Sequence, residues 1–390
     1  MKKKTWILFL GDLAIAYNRE LLRGVSFALQ SKPTLQGYAV RHVAPAELAE
    51  LSADDVAGML VSGIADAEDA LRGLANAGVA MVEVAGKWQR PWLEYHVRAD
   101  DVAVGRLAAE HLMARGFTRF AYLGYPGHMA MVLRRQGFGE ALAAHKLNAV
   151  FFETTAVPAE AGRHWWPPGM LEWARRIAKP AAIFACNDMR ANALLIACEH
   201  AGIRVPEDIS VVGVDDDDVY RALRHPHLSS IQLQTPLIAQ TALAMLLQLM
   251  QHRKPVENVV LIPPGPLIVR ASSNILAAED ELVRAALAMI NNKLSDGISV
   301  KMLANALAVS RTTLEVRFAA SLHRSPAAEI RRLQLEKAKA LLAATRLAMP
   351  SVAQQSGYSS GKHLSIAFRR SMGITPSDYR REHGSHASRG

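Results

Sequence analysis

The sequence contains few cysteines and no long apolar run. Cys186 and Cys198 are the only two cysteines in 390 residues, and neither belongs to a Cys-x-x-Cys pair or stands near a His cluster of metal spacing. We therefore expect reduced core thiols in a cytoplasmic protein, without a disulfide framework or a bound metal. No stretch of about 18 uncharged apolar residues occurs, so no membrane span is expected. The apolar run Trp6–Leu10 is too short for a signal peptide.

Sequence signatures of enzymes are also missing. Enzymes built on doubly wound sheets need a glycine-rich phosphate loop, or a nucleophile and a base in a recognisable motif. Gly11, after the first apolar run, is an isolated glycine, and no nucleophile stands in such a context. The sequence therefore predicts a protein that is not an enzyme and that needs no cofactor.

Positive charge is abundant but unevenly distributed. The formal net charge is +9, with 45 Lys and Arg residues against 36 Asp and Glu residues. From Glu281 to the end there are 17 basic and 7 acidic residues, which leaves 28 basic and 29 acidic residues before it. A near-neutral body followed by a small basic module is typical of a sensor joined to a nucleic-acid-binding domain.

The near-neutral body alternates short apolar runs with amphipathic segments. This alternation predicts βαβ units, and hence parallel sheets with helices on both faces. There are too many units for one sheet, so we predict two lobes, with crossovers at the irregular residues 86–96 and after Ser229. Ligands bind beyond the carboxyl ends of such strands, which places a site in the cleft between the lobes. The predicted strands are residues 6–10, 56–61, 80–84, 119–124, 149–152, 182–186 and 209–214, and the predicted helices include 19–30, 102–115, 134–144 and 188–201.

Three motifs occur in the order found in a known family. They are Cys186-Asn-Asp-Met-Arg-Ala191, Gly202-Ile-Arg-Val-Pro-Glu-Asp-Ile-Ser-Val-Val-Gly-Val-Asp-Asp216 and Leu228-Ser-Ser-Ile231. With these motifs the chain resembles the effector domain of LacI-type regulators over about residues 5–275. The resemblance implies a two-lobed, periplasmic-binding-protein-like α/β domain with doubly wound parallel sheets.

Charged and amide side chains near strand ends are the candidates for a sugar site. An arginine donates to two adjacent hydroxyls, and a carboxylate or an amide accepts from or bridges two. The residues that match the effector contacts of the LacI-type pattern are Arg134, Asn187 and Asp215. Arg19 lies at the corresponding cleft entrance of the first lobe. Two aromatic residues that either stack on the ligand or pack in the hinge are Tyr17 and Trp88.

Neighbouring residues leave alternatives open. Either Arg134 or Arg135 could supply the arginine that contacts the effector, and only the family motif favours Arg134. Asp188 is expected to cap the helix that follows it in preference to contacting ligand. The acidic run from Asp215 to Asp218 is either part of the site, a solvated loop or a cation site.

The basic part is helical by pattern and contains two similar segments, residues 300–318 and 351–368. Each has a short helix with a small Ala, a tight turn, a Ser that caps the next helix, and apolar residues four apart. This layout predicts two helix-turn-helix motifs, whose second helices fit the major groove of DNA. The helix between them, residues 326–344, would span about 28 Å, close to one DNA turn of about 34 Å. The predicted DNA-contacting residues are Ser310, Arg311, Thr312, Thr313, Arg317, Ser360, Lys362, His363, Arg369 and Arg370.

Three further motifs close the basic part: Gly357-Tyr358, Phe368-Arg369-Arg370 and Gly373-Ile-Thr-Pro-Ser-Asp-Tyr-Arg380. With them, residues 285–383 resemble the DNA-binding domain of the AraC/XylS family. Ala308 departs from the pattern because it stands where the first turn usually has Gly, and a positive φ at Ala would cost about 1 kcal/mol if the turn were unchanged. His363-Leu364 and Ile366 also depart, at positions usually occupied by an aromatic pair and an Arg.

A LacI-type effector domain joined to an AraC-type DNA-binding domain resembles regulators of xylose-utilisation operons. The predicted division is an effector domain over residues 1–275, a linker over 276–284 and a DNA-binding domain over 285–390. The resemblance implies a cytoplasmic, homodimeric, D-xylose-dependent activator of pentose catabolism genes. The implied partners are promoter DNA, D-xylose or a related monosaccharide, and RNA polymerase, with no membrane contact. The alternatives are a regulator of the same architecture that responds to another sugar, and a sugar-binding protein without a role in transcription.

Overall fold

Two α/β lobes form the body of the chain. The computed structural model describes residues 6–40, 48, 51, 53–54, 56–63, 68–85, 90, 92–155, 165–222 and 225–383. The first elements are β1 (Trp6–Leu10), α1 (Ala16–Leu29), β2 (Gln36–Val40), β3 (Val56–Ser62), α2 (Glu68–Asn76), β4 (Ala80–Ala85) and β5 (His96–Ala99). They are followed by α3 (Asp101–Met113), β6 (Phe120–Gly124), α4 (Met129–Ala144), β7 (Ala149–Glu153), α5 (Met170–Arg176), β8 (Ala181–Ala185), α6 (Asp188–His200), β9 (Ile209–Val214), α7 (Asp218–Ala222) and β10 (Ser229–Ile231). The body ends with α8 (Thr235–Met250), β11 (Val259–Ile262) and β12 (Leu267–Ile268).

Each lobe is built around a six-stranded sheet. The strand order is β11-β5-β4-β3-β1-β2 in the first lobe and β12-β10-β9-β8-β6-β7 in the second. The pairs within both sheets are parallel except for the antiparallel β10–β12 pair. Ile7 and Phe9 of β1 pack into one core, and Leu8 and Leu10 pack into another. Because both faces of the sheet are covered, such strands are continuous apolar runs. The predicted fold class is confirmed.

The first crossover lies later in the chain than predicted. Residues 86–96 were expected to join the lobes, but β5 still belongs to the first sheet, where it pairs with β4 and β11. The chain enters the second lobe only at Asp101. The sequence did not indicate β5 because the strand has only four residues, with buried and half-buried positions alternating, and so contains no apolar run. The predicted return after Ser229 is confirmed, since α8 packs on the first lobe.

A third crossover joins β11 to β12 and was not predicted. Main-chain hydrogen bonds connect the three crossing segments where they lie side by side. The Asp100 amide donates to the Ile262 carbonyl at 2.8 Å, and the Gly265 amide donates to the Gln232 carbonyl at 2.9 Å. The lobes are therefore joined at one edge of the cleft by three segments of main chain that are hydrogen-bonded to one another.

The C-terminal part is helical, as predicted. α10 and α11 form the first helix-turn-helix motif, α13 and α14 form the second, and α12 connects them. α9 begins at Glu281, four residues before the predicted start of the DNA-binding domain. The elements are α9 (Glu281–Lys293), α10 (Val300–Ala306), α11 (Arg311–Leu322), α12 (Pro326–Ala344), α13 (Met349–Gln355), α14 (Gly361–Met372) and α15 (Pro376–His383).

The two motifs differ in how they are attached to the body. Leu314 and Phe318 of α11 belong to the same continuous apolar core as the lobes. Leu364 and Phe368 of α14 belong to a separate cluster with the end of α12. The first motif is thus packed against the effector body, whereas the second is joined to it through α12.

The first turn of each motif contains a left-handed residue. Ala308 has a φ of 54°, so the turn is left-handed there without the usual Gly, and Gly357 at the matching place has a φ of 79°. Both residues follow the last turn of a short helix. The amide of the next residue donates back to a carbonyl of that helix, from Val309 to Ala304 in the first motif and from Tyr358 to Ala353 in the second. The first motif therefore contains backbone strain that the second avoids.

Replacing Ala308 by Gly should stabilise the protein by about 1 kcal/mol, because glycine adopts positive φ without a steric penalty. The matched change, Gly357→Ala, should destabilise it by about 3 kcal/mol, since the added Cβ would meet the Leu294 carbonyl oxygen at 2.1 Å. Urea unfolding of both variants and the parent protein measures these differences. A destabilised Ala308→Gly variant would contradict the strain at this turn.

Candidate functional site

Arg134 is the central charge of the cleft. It lies in the second turn of α4, and its side chain is 7% exposed. Its Nε donates to Asp101 Oδ1 at 2.8 Å, and its Nη1 donates to the Cys186 carbonyl oxygen at 2.6 Å. Asp101 is the first residue of α3, which crosses α4 so closely that a Cβ on Gly105 would lie 2.0 Å from the Arg134 carbonyl oxygen. This crossing fixes the guanidinium beside the carboxyl end of β8.

Asp215 follows β9 and lies close to the same charges. Its φ of 103° is in a region that residues other than glycine rarely adopt, and its amide donates to the Ile231 carbonyl at 3.0 Å. Burial raises the pKa of its carboxyl to about 7, against the opposing effect of Arg134 and with a further contribution from Asp101. A strained, half-buried carboxyl with a pKa raised towards neutrality in a cleft is typical of a functional site.

Tyr17 and Arg19 of α1 bring the first lobe to this cluster. The Tyr17 hydroxyl donates to the Val84 carbonyl oxygen at 2.6 Å. Burial and then the Asp101 charge raise the pKa of this phenol, which therefore lies beside the acidic groups of the second lobe. Arg19 Nη2 lies 3.1 Å from Asp217 Oδ2, and this ion pair joins the two lobes across the cleft.

The acidic run after β9 is folded into ion pairs and is not a solvated loop. Asp216 Oδ1 lies 2.6 Å from Arg270 Nη2, and Asp217 forms the ion pair with Arg19. Asp218 is exposed and begins α7. Of the four acidic residues, Asp215 is therefore the one that lies close to Arg134.

Asn187, and not Asp188, caps α6. Asn187 has the extended backbone that a cap requires, and its Oδ1 accepts from the Arg190 amide at 2.9 Å. Asp188 is already helical and fully buried; it accepts from the Asp217 amide at 2.8 Å and from Ser230 Oγ at 2.7 Å. The prediction that Asp188 caps α6 was wrong. Asn and Asp are both good caps, and the sequence does not show which of two neighbours has the extended backbone of the cap position.

The two adjacent arginines occupy different environments. Arg135 is 40% exposed and pairs with Glu153 at 2.7 Å, away from Asp101. It also lies over the ring of Phe151, at 5.6 Å from the centroid. Arg134 is the one that faces Asp101 and Asp215. Trp88 lies outside the described residues.

Two residues of the cleft were not singled out from the sequence. Asp101 holds Arg134, and the only available signal was its place in the Asp100-Asp101 pair before a helix. Arg190 is fully buried; its Nη2 donates to the Thr154 carbonyl at 3.1 Å, and its guanidinium lies 5.3 Å from the Tyr125 ring centroid. Nothing in the order of residues along α6 reveals that this arginine points inward.

The ten predicted DNA-contacting residues are all exposed. Ser310 and Ser360 cap α11 and α14, by accepting from the amides of Thr313 at 2.9 Å and of His363 at 3.1 Å. Arg317 donates to Asp280 Oδ2 at 2.7 Å, so its guanidinium lies against the segment before α9. The structure thus confirms that these two serines cap the second helix of each motif.

Comparison with known proteins follows the same two-part division. A family described as periplasmic binding protein-like domain matches residues 109–273, and a helix-turn-helix domain family matches residues 303–382. The xylose operon regulatory protein of Escherichia coli K12 is 28% identical, over 97% of this chain and 97% of that protein. This chain is a transcription regulator with a periplasmic binding protein-like domain and a helix-turn-helix domain, and it is similar to the xylose operon regulators over nearly its whole length.

Other relatives agree with this architecture. The xylose operon regulatory protein of Haemophilus influenzae is 25% identical to the regulator, over 93% of this chain and 95% of that protein. A solved structure described as xylose-binding transcription activator xylR superposes with a TM-score of 0.76 at 26% identity, and covers 98% of the regulator and 100% of that chain. In the described part of the regulator, no helix has the length and apolar character needed to span a bilayer.

In this regulator, α3 extends from the cleft to the DNA-binding helices. Asp101 lies at its first turn, and Arg115 lies just beyond its end. Arg115 Nε donates to the Ser273 carbonyl at 2.6 Å, and its own carbonyl accepts from the Ala277 amide at 2.9 Å. Burial and then the nearby charge of Arg332 in α12 lower the pKa of Arg115 to about 10.

The neighbouring contacts continue this connection into α12. Arg332 Nη1 donates to Asn274 Oδ1 at 3.2 Å, next to the Ser273 that Arg115 contacts. Arg332 also pairs with the fully buried Glu329 at 2.7 Å. A continuous set of polar contacts therefore joins the end of α3 to the helix that connects the two DNA-binding motifs.

Proposed function

We propose that the regulator is a D-xylose-dependent activator that binds promoter DNA through both helix-turn-helix motifs. The observation that supports this most directly is the cluster of buried Arg134 and Asp101 with half-buried Asp215, between lobes that are joined to tandem DNA-binding motifs. A pentose offers several adjacent hydroxyls, and each polar group buried without a partner costs about 1–3 kcal/mol. A forked donor beside two carboxylates meets that requirement.

The roles of the individual side chains follow from their existing bonds. Arg134 donates to sugar hydroxyls through the N–H groups of its guanidinium that are not bonded to Asp101 or to the Cys186 carbonyl. Asp215 accepts from hydroxyls. Asn187 uses Oδ1 for the cap, so Nδ2 donates to the ligand. Tyr17 provides an aromatic wall from the first lobe.

Sugar binding would change the balance between open and closed lobes. A sugar that contacts both lobes favours the closed form, which the Arg19–Asp217 ion pair also favours. Closure moves α3 relative to the first lobe, and the Arg115, Ser273 and Asn274 contacts transmit that movement to α12. The DNA-binding motifs are thereby reoriented.

The remaining parts of the proposal concern organisation. We propose an effector domain over residues 1–275, a linker over 276–284 and a DNA-binding domain over 285–390, although α9 places regular helix in the last part of that linker. We also propose that the regulator acts in the cytoplasm as a homodimer on paired half-sites and that it contacts RNA polymerase at the promoter.

Calorimetry and gel shifts test the proposal together. Titration with D-xylose, L-arabinose, D-ribose and D-glucose identifies the effector, and gel shifts on promoter DNA with and without that sugar measure the response. D-xylose should bind with the highest affinity of the four and change the DNA affinity. A stronger response to another of these sugars would replace D-xylose as effector, and the absence of saturable DNA binding at moderate salt would overturn the proposal.

Sugar affinity should fall as the pH decreases from 8 to 6. With a pKa of about 7, Asp215 is about nine tenths ionised at pH 8 and about one tenth ionised at pH 6. Because the ionised form accepts the sugar hydroxyls, the proton must leave before binding, and Kd should rise about tenfold over this range. Calorimetry at both pH values measures it. The Asp215→Asn variant should bind weakly and without this pH dependence; an unchanged pH profile in that variant would contradict the assignment.

A further inference from the structure

The two recognition helices, α11 and α14, match each other residue for residue from their caps. Ser310 and Ser360 are the N-caps. Four residues later Leu314 and Leu364 are fully buried, and eight residues later Phe318 and Phe368 are fully buried. The two helices therefore present the same positions to the core and the same positions to the outside.

At the sixth position after each cap stands a large β-branched apolar residue that is exposed. Val316 is 61% exposed and Ile366 is 60% exposed. At 100° per residue this position lies about 200° around the helix from the buried Leu and also from the buried Phe. Val316 and Ile366 thus project from the side of each helix opposite the core.

The exposed residues around these two side chains are small, polar or basic. Those near Ile366 on α14 include Lys362, Arg369 and Arg370, and those near Val316 on α11 are Thr312, Thr313, Ala319 and Ala320. The DNA-binding part has a net basic charge, as the counts from Glu281 onward show. One large apolar side chain on each helix of a basic domain is unsuited to an apolar protein partner, which needs a wide contiguous patch, but it suits a groove of DNA whose rims are phosphates.

The major groove contains one apolar group, the C5 methyl of thymine. We propose that Val316 and Ile366 each contact a thymine methyl, so that the regulator recognises a thymine in each of two successive major grooves. The connecting helix α12 has 19 residues, which corresponds to about 28 Å, so the two thymines lie about one turn or roughly 10 base pairs apart. This inference rests on the proposed binding of DNA by both motifs.

Replacement of thymine by deoxyuridine removes only the methyl group and tests the contact. Duplexes that bind the full-length regulator are selected from a randomised library, with and without D-xylose, and their sequences give the preferred site. Each thymine of that site is then replaced singly by deoxyuridine. Two replacements about 10 base pairs apart should each weaken binding about fourfold, as expected for loss of one buried methyl contact. Replacements elsewhere should have little effect.

Variants assign each methyl to one side chain. Val316→Ser should remove the thymine preference at one position and leave the other, and Ile366→Ser should do the reverse. Both residues are exposed, so the variants should fold, and thermal unfolding checks this. Met302→Ser, at an apolar residue that is 47% exposed on the first helix of the first motif, is the matched control and should preserve both preferences.

The outcomes separate this inference from the proposed function. A selected site that binds equally with thymine or deoxyuridine at every position would overturn the methyl contacts and leave DNA binding intact. Loss of both preferences in a single variant would overturn the assignment of one side chain to one groove. If no sequence is selected and no duplex binds saturably, the proposed function fails as well.

Discussion

Replacing Arg134 by Gln should abolish the sugar response while leaving sugar-free DNA binding in place. Arg134 donates to Asp101 and lies close to the carboxyl of Asp215, so its loss removes the forked donor from the cleft. Hydrogen bonds to a charged group contribute about 1.5–3 kcal/mol each, so loss of two should weaken sugar binding about a hundredfold or more. Calorimetry with the sugar and gel shifts with and without it measure the two effects.

Loss of stability must be separated from loss of binding in this variant. Removal of one member of a buried ion pair costs about 3–5 kcal/mol, because Asp101 is left without its cation. The double variant Arg134→Gln with Asp101→Asn keeps the contact neutral and should recover much of that stability, but not the sugar binding. Arg135→Gln is the matched control, since Arg135 is half-exposed and pairs with Glu153. If the double variant folds and still responds to ordinary sugar concentrations, the assignment of the cleft is wrong.

Replacing Arg115 by Met should uncouple sugar binding from DNA binding. Arg115 connects the end of α3 to Ser273 and lies near Arg332 of α12, but it is separated from the Arg134 cluster by the length of α3, about 20 Å. Sugar affinity should therefore stay within about twofold. Complete switching between two states needs about 5.5 kcal/mol of differential binding, so a modest loss of coupling produces a large loss of response. We expect the sugar-induced change in DNA affinity to fall at least tenfold.

The control for this variant is another arginine near the same segment. Arg119 pairs with Glu279 at 2.7 Å, and both side chains are substantially exposed. Exposed pairs contribute about 0–1 kcal/mol, so Arg119→Met should retain both sugar binding and the DNA response. Calorimetry reports the first property and gel shifts with and without sugar report the second. An Arg115→Met protein with an intact DNA response would exclude this route of coupling.

Much of the fold could be predicted because its signals are local. Strand β1 has the same bounds in sequence and structure, since a run of apolar residues is needed wherever both faces of a sheet are covered. The serine caps depend on a few consecutive residues, and their prediction is confirmed. By contrast, β2 is an exposed edge strand and β5 has only four residues, so neither gives an apolar run.

The cleft could be predicted only in part. Residue type and strand ends pointed to Arg134, Asn187 and Asp215, and the structure places Arg134 close to Asp215. The sequence did not distinguish Arg134 from Arg135, because the choice depends on which face of α4 meets α3. Nor did it show that Arg19 would bind Asp217 from the other lobe, since these residues are 198 positions apart.

The sequence by itself determined the alternation of apolar strands and helices in the body, the near-neutral charge of that body and the basic tandem motifs, because each follows from local pattern and composition. The tertiary structure decided which charges are buried together and which helix connects the cleft to the DNA-binding motifs. It also decided that Val316 and Ile366 stand at the same exposed position of two separate helices. The physical reason is that burial and ion pairing depend on distances between segments far apart in the chain, and the packing of helices on sheets sets those distances.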